Sequence, residues 1–137
     1  MKYVLNCSVA LKWALPEADS PRAASLRDAG HDLHAPDIFP VEIGNALSKL
    51  SRQRRISEAI AIAAFTEILS TGIVLHSSAD LLPRAFELSL DTRCSLYDAL
   101  YVALAELEQC QVVTADELLV RNLNLHLLAL LDTVGES

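Results

Sequence analysis

Short apolar runs alternate with longer stretches of helical spacing along this chain, and that alternation limits its fold more than any other feature. Met1 to Leu5 and Gln111-Val112-Val113-Thr114 read as short buried strands. Asp32 to Ala35 and Ile73 to His76 read as two more. Helical segments fill the intervals. The first, Ser8 to Leu15, is ended by Pro16, and the next opens at Ser20-Pro21 and ends at Gly30. A third is started by Asp37, with Val41, Ala46, Leu47 and Leu50 as its core face. Ser57 and Ala59 open a fourth, running through Ile60, Ala63, Ala64, Ile68 and Leu69 to a stop at Gly72. Asp80 to Ser89 and Leu96 to Glu108 complete the long helices, and a turn or two follows Asp116. Leu127 to Leu131 fits either a last strand or a packed tail. A strand followed by two helices, repeated along the chain, predicts an α/β fold: a parallel sheet of four or five strands with helices on both faces.

The 137 residues suit one domain spanning 1–137. With 52% hydrophobic and 21% charged residues, a disordered tail is excluded. No apolar run reaches the roughly 18 residues of a membrane span, and the N-terminus lacks the pattern of a secretory signal, so a cytoplasmic chain is expected. A net charge of −7 argues against a broad basic face gripping phosphates. It still permits nucleic-acid chemistry if a metal ion bridges carboxylate and phosphate. Cys7, Cys94 and Cys110 are too widely spaced for a zinc knuckle or a disulfide framework, and are expected to be reduced core residues.

In an open parallel sheet, sites form beyond the carboxyl ends of the strands. Asn6 ends the first strand, Glu42 and Asp98 lie in the first turns of helices, and Thr114 and Asp116 follow the strand at 111–114. Ser95 and Asp98 have capping-box spacing. Taken singly, each acid also suits a structural role, at a helix N-terminus or in a turn. Taken together, three carboxylates on one rim repel one another and call for a hard divalent cation such as Mg²⁺ or Mn²⁺.

The residues that carry this pattern also carry a family resemblance. Tyr3-Val4-Leu5-Asn6-Cys7-Ser8-Val9-Ala10-Leu11-Lys12-Trp13 resembles the opening of the PIN-domain ribonucleases. Pro36 to Leu47, with Glu42 and Asn45-Ala46-Leu47, resembles their second motif, and Tyr97 to Ala105 their central helix. Val112-Val113-Thr114-Ala115-Asp116 resembles their last strand and acidic loop. Length and motif wording are similar to the VapC toxins of toxin–antitoxin pairs. The resemblance implies a PIN-like three-layer sandwich and an endoribonuclease dependent on Mg²⁺ or Mn²⁺, in which a metal-activated water attacks the phosphodiester. It implies Glu42, Asp98 and Asp116 as catalytic metal-binding acids, with Ser8 and Thr114 as supporting hydroxyls. It also implies an RNA substrate, a homodimer and a cognate antitoxin. One position departs: the family's first acid is here Asn6, which keeps the shape of Asp but lacks its charge. Asn6 therefore counts as a weakened metal position, and it keeps open the alternative of a catalytically silent PIN-fold module that binds antitoxin or RNA.

Lys49, Arg52, Arg54 and Arg55 form the one dense basic cluster, read either as RNA-backbone contacts or as a solvated helix end. Arg84 and Arg93 are expected to pair with surface acids rather than phosphate. His31, His34, His76 and His126 show no metal-ligand spacing and are not expected to act as general bases. Trp13 is expected to be buried, and the apolar helix from Ile60 to Leu69 can serve as a partner face or as core.

Overall fold

The computed structural model describes residues 1–15, 20–123 and 128–130. The chain order is β1 (Lys2–Leu5), α1 (Cys7–Ala14), α2 (Ser20–Asp28), β2 (Asp32–Pro36), α3 (Phe39–Arg52), α4 (Glu58–Leu69), β3 (Val74–His76), α5 (Ser78–Thr92), α6 (Leu96–Glu108), β4 (Gln111–Thr114), α7 (Glu117–Leu123) and β5 (Leu128–Leu130). This matches the order expected from the sequence, and within the segment read from Leu127 to Leu131 the described residues 128–130 form a strand, Leu127 and Leu131 lying outside the described residues. All strand pairs are parallel, in the order β3-β2-β1-β4-β5. Pro16 and His126 lie outside the described residues.

Beginning at the centre, the chain winds outward through β2 to β3, then returns to lay β4 on the other side of β1. That reversal leaves a crevice beyond the carboxyl ends of β1 and β4. Helix α1 packs on α2, α3 and α4, while α5 packs on α6, so two helical groups flank the sheet. Val4, Leu5, Val112 and Val113 are fully buried at the sheet centre. Every residue from Ala99 to Ala105 is buried too, so α6 is apolar all round, as a helix inside a core must be. No helix among the described residues is long and apolar enough to cross a membrane.

Local chemistry sets the helix starts. The side chains of Asn6, Ser57, Ser77 and Ser95 accept the backbone N–H of Ser8, Ile60, Asp80 and Asp98, capping α1, α4, α5 and α6. Asp37 does not cap α3 as expected: Ile38 occupies that position without a side-chain bond. Asp37 Oδ1 instead accepts the N–H of Ser78 at 3.1 Å, tying the end of β2 to the start of α5. Gly30 and Gly72 sit at φ +74° and +78°, where the chain leaves α2 and α4.

The apolar face of α3 meets expectation at Leu47, which is buried, and at Leu50, which packs partly buried against the core, but differs at the start of the helix. Phe39, Ile43 and Leu47 face the core, four residues apart, while Val41 is 72% exposed. In α4, Ala64 and Ile68 are buried, whereas Ile60, Ala63 and Leu69 are exposed. Both helices carry apolar residues around more than one face, so periodicity alone does not select the inward one. Trp13 is buried as expected, with its indole N–H donating to the Ala23 carbonyl at 2.7 Å. The three cysteines are free and half-buried, rather than fully in the core.

This phasing is testable. Ile43→Ala should destabilise the fold by roughly 2–5 kcal/mol, and Val41→Ala by no more than about 0.5 kcal/mol, in urea unfolding. Equal losses would contradict the observed orientation of α3.

Candidate active site

The crevice at the ends of β1 and β4 is built by a clasp between two distant stretches of chain. Asn6 N–H extends the ladder to the Val113 carbonyl at 3.1 Å. Just beyond, the hydroxyls of Ser8 and Thr114 lie 3.4 Å apart. Ser8 Oγ accepts the N–H of Ala115 at 3.0 Å, and Thr114 Oγ1 accepts that of Asp116 at 3.1 Å. The two hydroxyls thereby hold the loop that carries Asp116. Asp116 Oδ1 accepts the N–H of Leu119 at 3.2 Å, which fixes the carboxylate at the start of α7.

Asn6 is only 5% exposed, and its Oδ1 accepts the Ser8 N–H at 3.1 Å. Asn and Asp cap helices about equally well, so the fold tolerates either here. Glu42, in the first turn of α3, receives a 2.6 Å hydrogen bond from the Tyr101 hydroxyl. Asp98 sits in the first turn of α6, three residues after its cap Ser95, whose hydroxyl accepts the Asp98 N–H at 3.1 Å. An opening of about 210 Å³ is lined by Arg93, Cys94, Ser95, Asp98, Asp116 and Leu119 among others.

Electrostatics show that the acids act on one another. Burial pushes the Glu42 carboxyl up, and the charge of Asp98 pushes it further, against the lowering effect of the Tyr101 bond. Burial pushes Asp98 up as well, with the charge of Asp116 adding, against hydrogen bonding to Ser95. The Cys7 thiol is pushed up to about 12 by burial and then by Glu42 and Asp98, so it stays a neutral thiol beside the acids. Burial, followed by the Glu42 charge, raises Tyr101 far beyond its ordinary value, so its hydroxyl remains a donor.

An all-oxygen donor set whose members raise one another's protonation fits a hard divalent cation. Glu42, Asp98 and Asp116 do not form a set of carboxyl oxygens all within 4.8 Å of one another. That spacing suits an ion that keeps several of its waters, as Mg²⁺ does.

The structure thus gathers Asn6, Ser8, Glu42, Asp98, Thr114 and Asp116 around one crevice. It places Arg52, Arg54 and Arg55 elsewhere: Arg52 ends α3, about 15 Å along the axis from Glu42 at 1.5 Å per residue. Arg84 pairs with surface acids as expected, with Glu106 through two contacts of 2.9 and 3.0 Å and with Glu87, one turn along α5, at 3.4 Å. Arg93 instead stands at the rim of the acidic opening. Sequence reasoning missed Tyr101 as a partner of Glu42. Its position three residues after Asp98, on the same helix face, was the available signal.

The profile of the PIN domain matches residues 3–122. The chain is 32% identical to the ribonuclease VapC3 of Pyrobaculum aerophilum over 85% of this chain and 90% of that protein. In fold it is similar to the crystal structure of PAE2754 from Pyrobaculum aerophilum, with a TM-score of 0.75, 22% identity and coverage of 97% of this chain and 91% of that one. It is also similar to VapBC2 from Rickettsia felis, solved bound to a DNA fragment from its promoter, with a TM-score of 0.66, 17% identity and coverage of 95% and 98%.

The raised carboxyls give the site a pH signature. Glu42 and Asp98 bind protons more tightly folded than unfolded, so their contribution to metal-free stability is fully present below the ordinary values of 4.5 and 3.8 and is lost as pH rises through the raised ones. A divalent ion requires both ionised. The gain in melting temperature from Mn²⁺ over EDTA should therefore grow from acidic to neutral pH. A gain independent of pH would place the ion elsewhere.

Proposed function

Because the chain belongs to the PIN-domain family, among its VapC ribonucleases, we propose that it is a metal-dependent endoribonuclease toxin of a toxin–antitoxin pair. The observation that carries this reading is the convergence of Glu42, Asp98 and Asp116 on the crevice between β1 and β4, with the charge of one acid acting on the next. The family's chemistry uses a divalent metal ion, and Mg²⁺ or Mn²⁺ suits this donor set best. Bound there, such an ion supplies an activated water and neutralises charge on the phosphoryl group.

The chain's own residues do the positioning. Tyr101 holds Glu42 through its 2.6 Å bond and keeps one carboxylate oxygen oriented. Ser8 and Thr114 hold the Asp116 loop, and Ser95 caps the helix that presents Asp98. Arg93, at the rim, is placed to meet a substrate phosphate. Arg52, Arg54 and Arg55 would contact RNA backbone away from the cleaved bond.

Residues 1–137 would form a single PIN domain acting in the cytoplasm, as a homodimer under the control of a cognate antitoxin. Exposed Leu82, Phe86 and Leu90 on α5, and Ile60 and Ile62 on α4, offer apolar area for such partners.

Asn6 favours a second reading, a catalytically silent module that binds antitoxin or RNA. An amide carbonyl is a weaker ligand than a carboxylate and leaves the ion with one less compensating charge. Its shape and capping bond are otherwise those of Asp.

A matched ribonuclease assay separates the two. With Mn²⁺ and total RNA, the chain should cut and EDTA should abolish cutting. Asn6→Asp should raise the rate by about ten-fold or more, and Asp98→Asn or Asp116→Asn should lower it by at least about 10–100-fold. Cutting by neither the chain nor Asn6→Asp would favour the silent module. Retained activity in Asp98→Asn would remove the acids from the chemistry.

A further inference from the structure

A second cluster of metal-ligating side chains lies at the opposite end of α6 from Asp98. His34 in β2, His76 at the end of β3 and Glu108 at the end of α6 each bring one donor atom within 4.8 Å of the others. His34 Nδ1 is 2.7 Å from His76 Nε2 and 3.9 Å from Glu108 Oε1. Asp98 and Glu108 are about 15 Å apart along the helix axis, so this cluster is separate from the acidic crevice. From these positions we infer a second metal site, in which His34 Nδ1, His76 Nε2 and a Glu108 carboxylate oxygen bind a borderline divalent ion of the Zn²⁺ class.

The donor chemistry separates the two sites. Two imidazoles and one carboxylate suit Zn²⁺, Co²⁺ or Ni²⁺, whereas the all-oxygen crevice suits Mg²⁺ or Mn²⁺. Three protein ligands leave a fourth tetrahedral position for water. Zinc–nitrogen bonds of about 2.0–2.1 Å place two tetrahedral ligands roughly 3.3 Å apart, so His34 and His76 need open by only about half an ångström.

His34 is 7% exposed, and its backbone is held in the sheet between Val4 and Val74. Its other ring nitrogen, Nε2, is buried without a hydrogen-bond partner of good geometry, yet lies 2.9 Å from Asp32 Oδ2. A proton on Nε2, facing that carboxylate, leaves Nδ1 as the lone-pair donor toward the cluster. A carboxylate behind the imidazole is the arrangement that orients metal-binding histidines. Without an ion, His76 Nε2–H donates to His34 Nδ1 across their 2.7 Å hydrogen bond; an ion would replace that proton, with His76 taking its Nδ1–H tautomer and offering the Nε2 lone pair.

Glu108 lies at a helix C-terminus, where the dipole disfavours an anion and a cation offsets the cost. Lys2 Nζ, 3.3 Å from Glu108 Oε1, supplies part of that charge from an exposed side chain. Cys110 follows Glu108 by two residues, but its sulfur is not among the donor atoms that meet within 4.8 Å. An ion here would join β2, the short edge strand β3 and α6, three elements far apart in sequence.

The test is calorimetric titration of the full chain with Zn²⁺ under excess Mg²⁺, added to compete for the acidic crevice, with Co²⁺ absorption to report nitrogen ligation. One Zn²⁺ per chain should bind, with a rise in melting temperature. His76→Ala should abolish that binding, and exposed Asp32→Asn should weaken it about 10–100-fold. Asp98→Asn should leave it unchanged. Circular dichroism confirms that each variant is folded. Zn²⁺ affinity unaltered in His76→Ala, lost in Asp98→Asn, or absent from the parent chain would overturn the site.

Discussion

The pairing of β1 with β4 brings Tyr3 beside Gln111 and Leu5 beside Val113, and so joins parts of the chain more than a hundred residues apart. The acidic crevice depends on this pairing. Asn6 and Asp116 reach one rim only because the two strands run parallel and end together, and the Ser8–Thr114 clasp then fixes the loop between β4 and α7. Buried backbone groups at such a junction must find partners, and here two hydroxyls and one amide side chain provide them. The residues that complete the fold at this point are therefore also those that set the geometry of the site.

Helix α6 is the second organising element. Its middle is buried on all sides, so its position against the sheet is strongly determined by packing. Its two ends carry opposite electrostatic problems. Asp98 sits where the helix dipole favours an anion, but neighbouring acids and burial push its carboxyl up. Glu108 sits where the dipole disfavours an anion, and Lys2 and two imidazoles gather around it. On the readings proposed above, each end would be a place where a cation lowers the energy of the folded chain, a hard one among oxygens and a borderline one among nitrogens.

Much of this was legible in the residues. Apolar runs bounded by Gly, Pro and capping Ser residues located the elements, and the limits of α6 and β4 agree with those read from sequence. Glu42, Asp98 and Asp116 were identifiable because helix starts and strand ends have recognisable signatures, and parallel sheets place those ends on one side. Less legible was which face of α3 and α4 turns inward, since Val41 and Ile60 are as apolar as the residues actually buried. Asp37 looked like the opener of its own helix, but its hydrogen bond goes to Ser78, a partner chosen by the neighbouring strand.

By itself, then, the sequence determined the succession of elements, the parallel sheet and the identity of the acids at its carboxyl edge. These follow from local periodicity, capping chemistry and the handedness of strand–helix–strand connections, which act over short stretches of chain. Tertiary structure alone decided which donors meet. The Tyr101 bond to Glu42 spans 59 residues and the His34–His76 contact 42, and no local spacing encodes either. Those distances were set when strand order and helix packing closed the core, because side chains on separate elements become neighbours only through the sheet and helices between them.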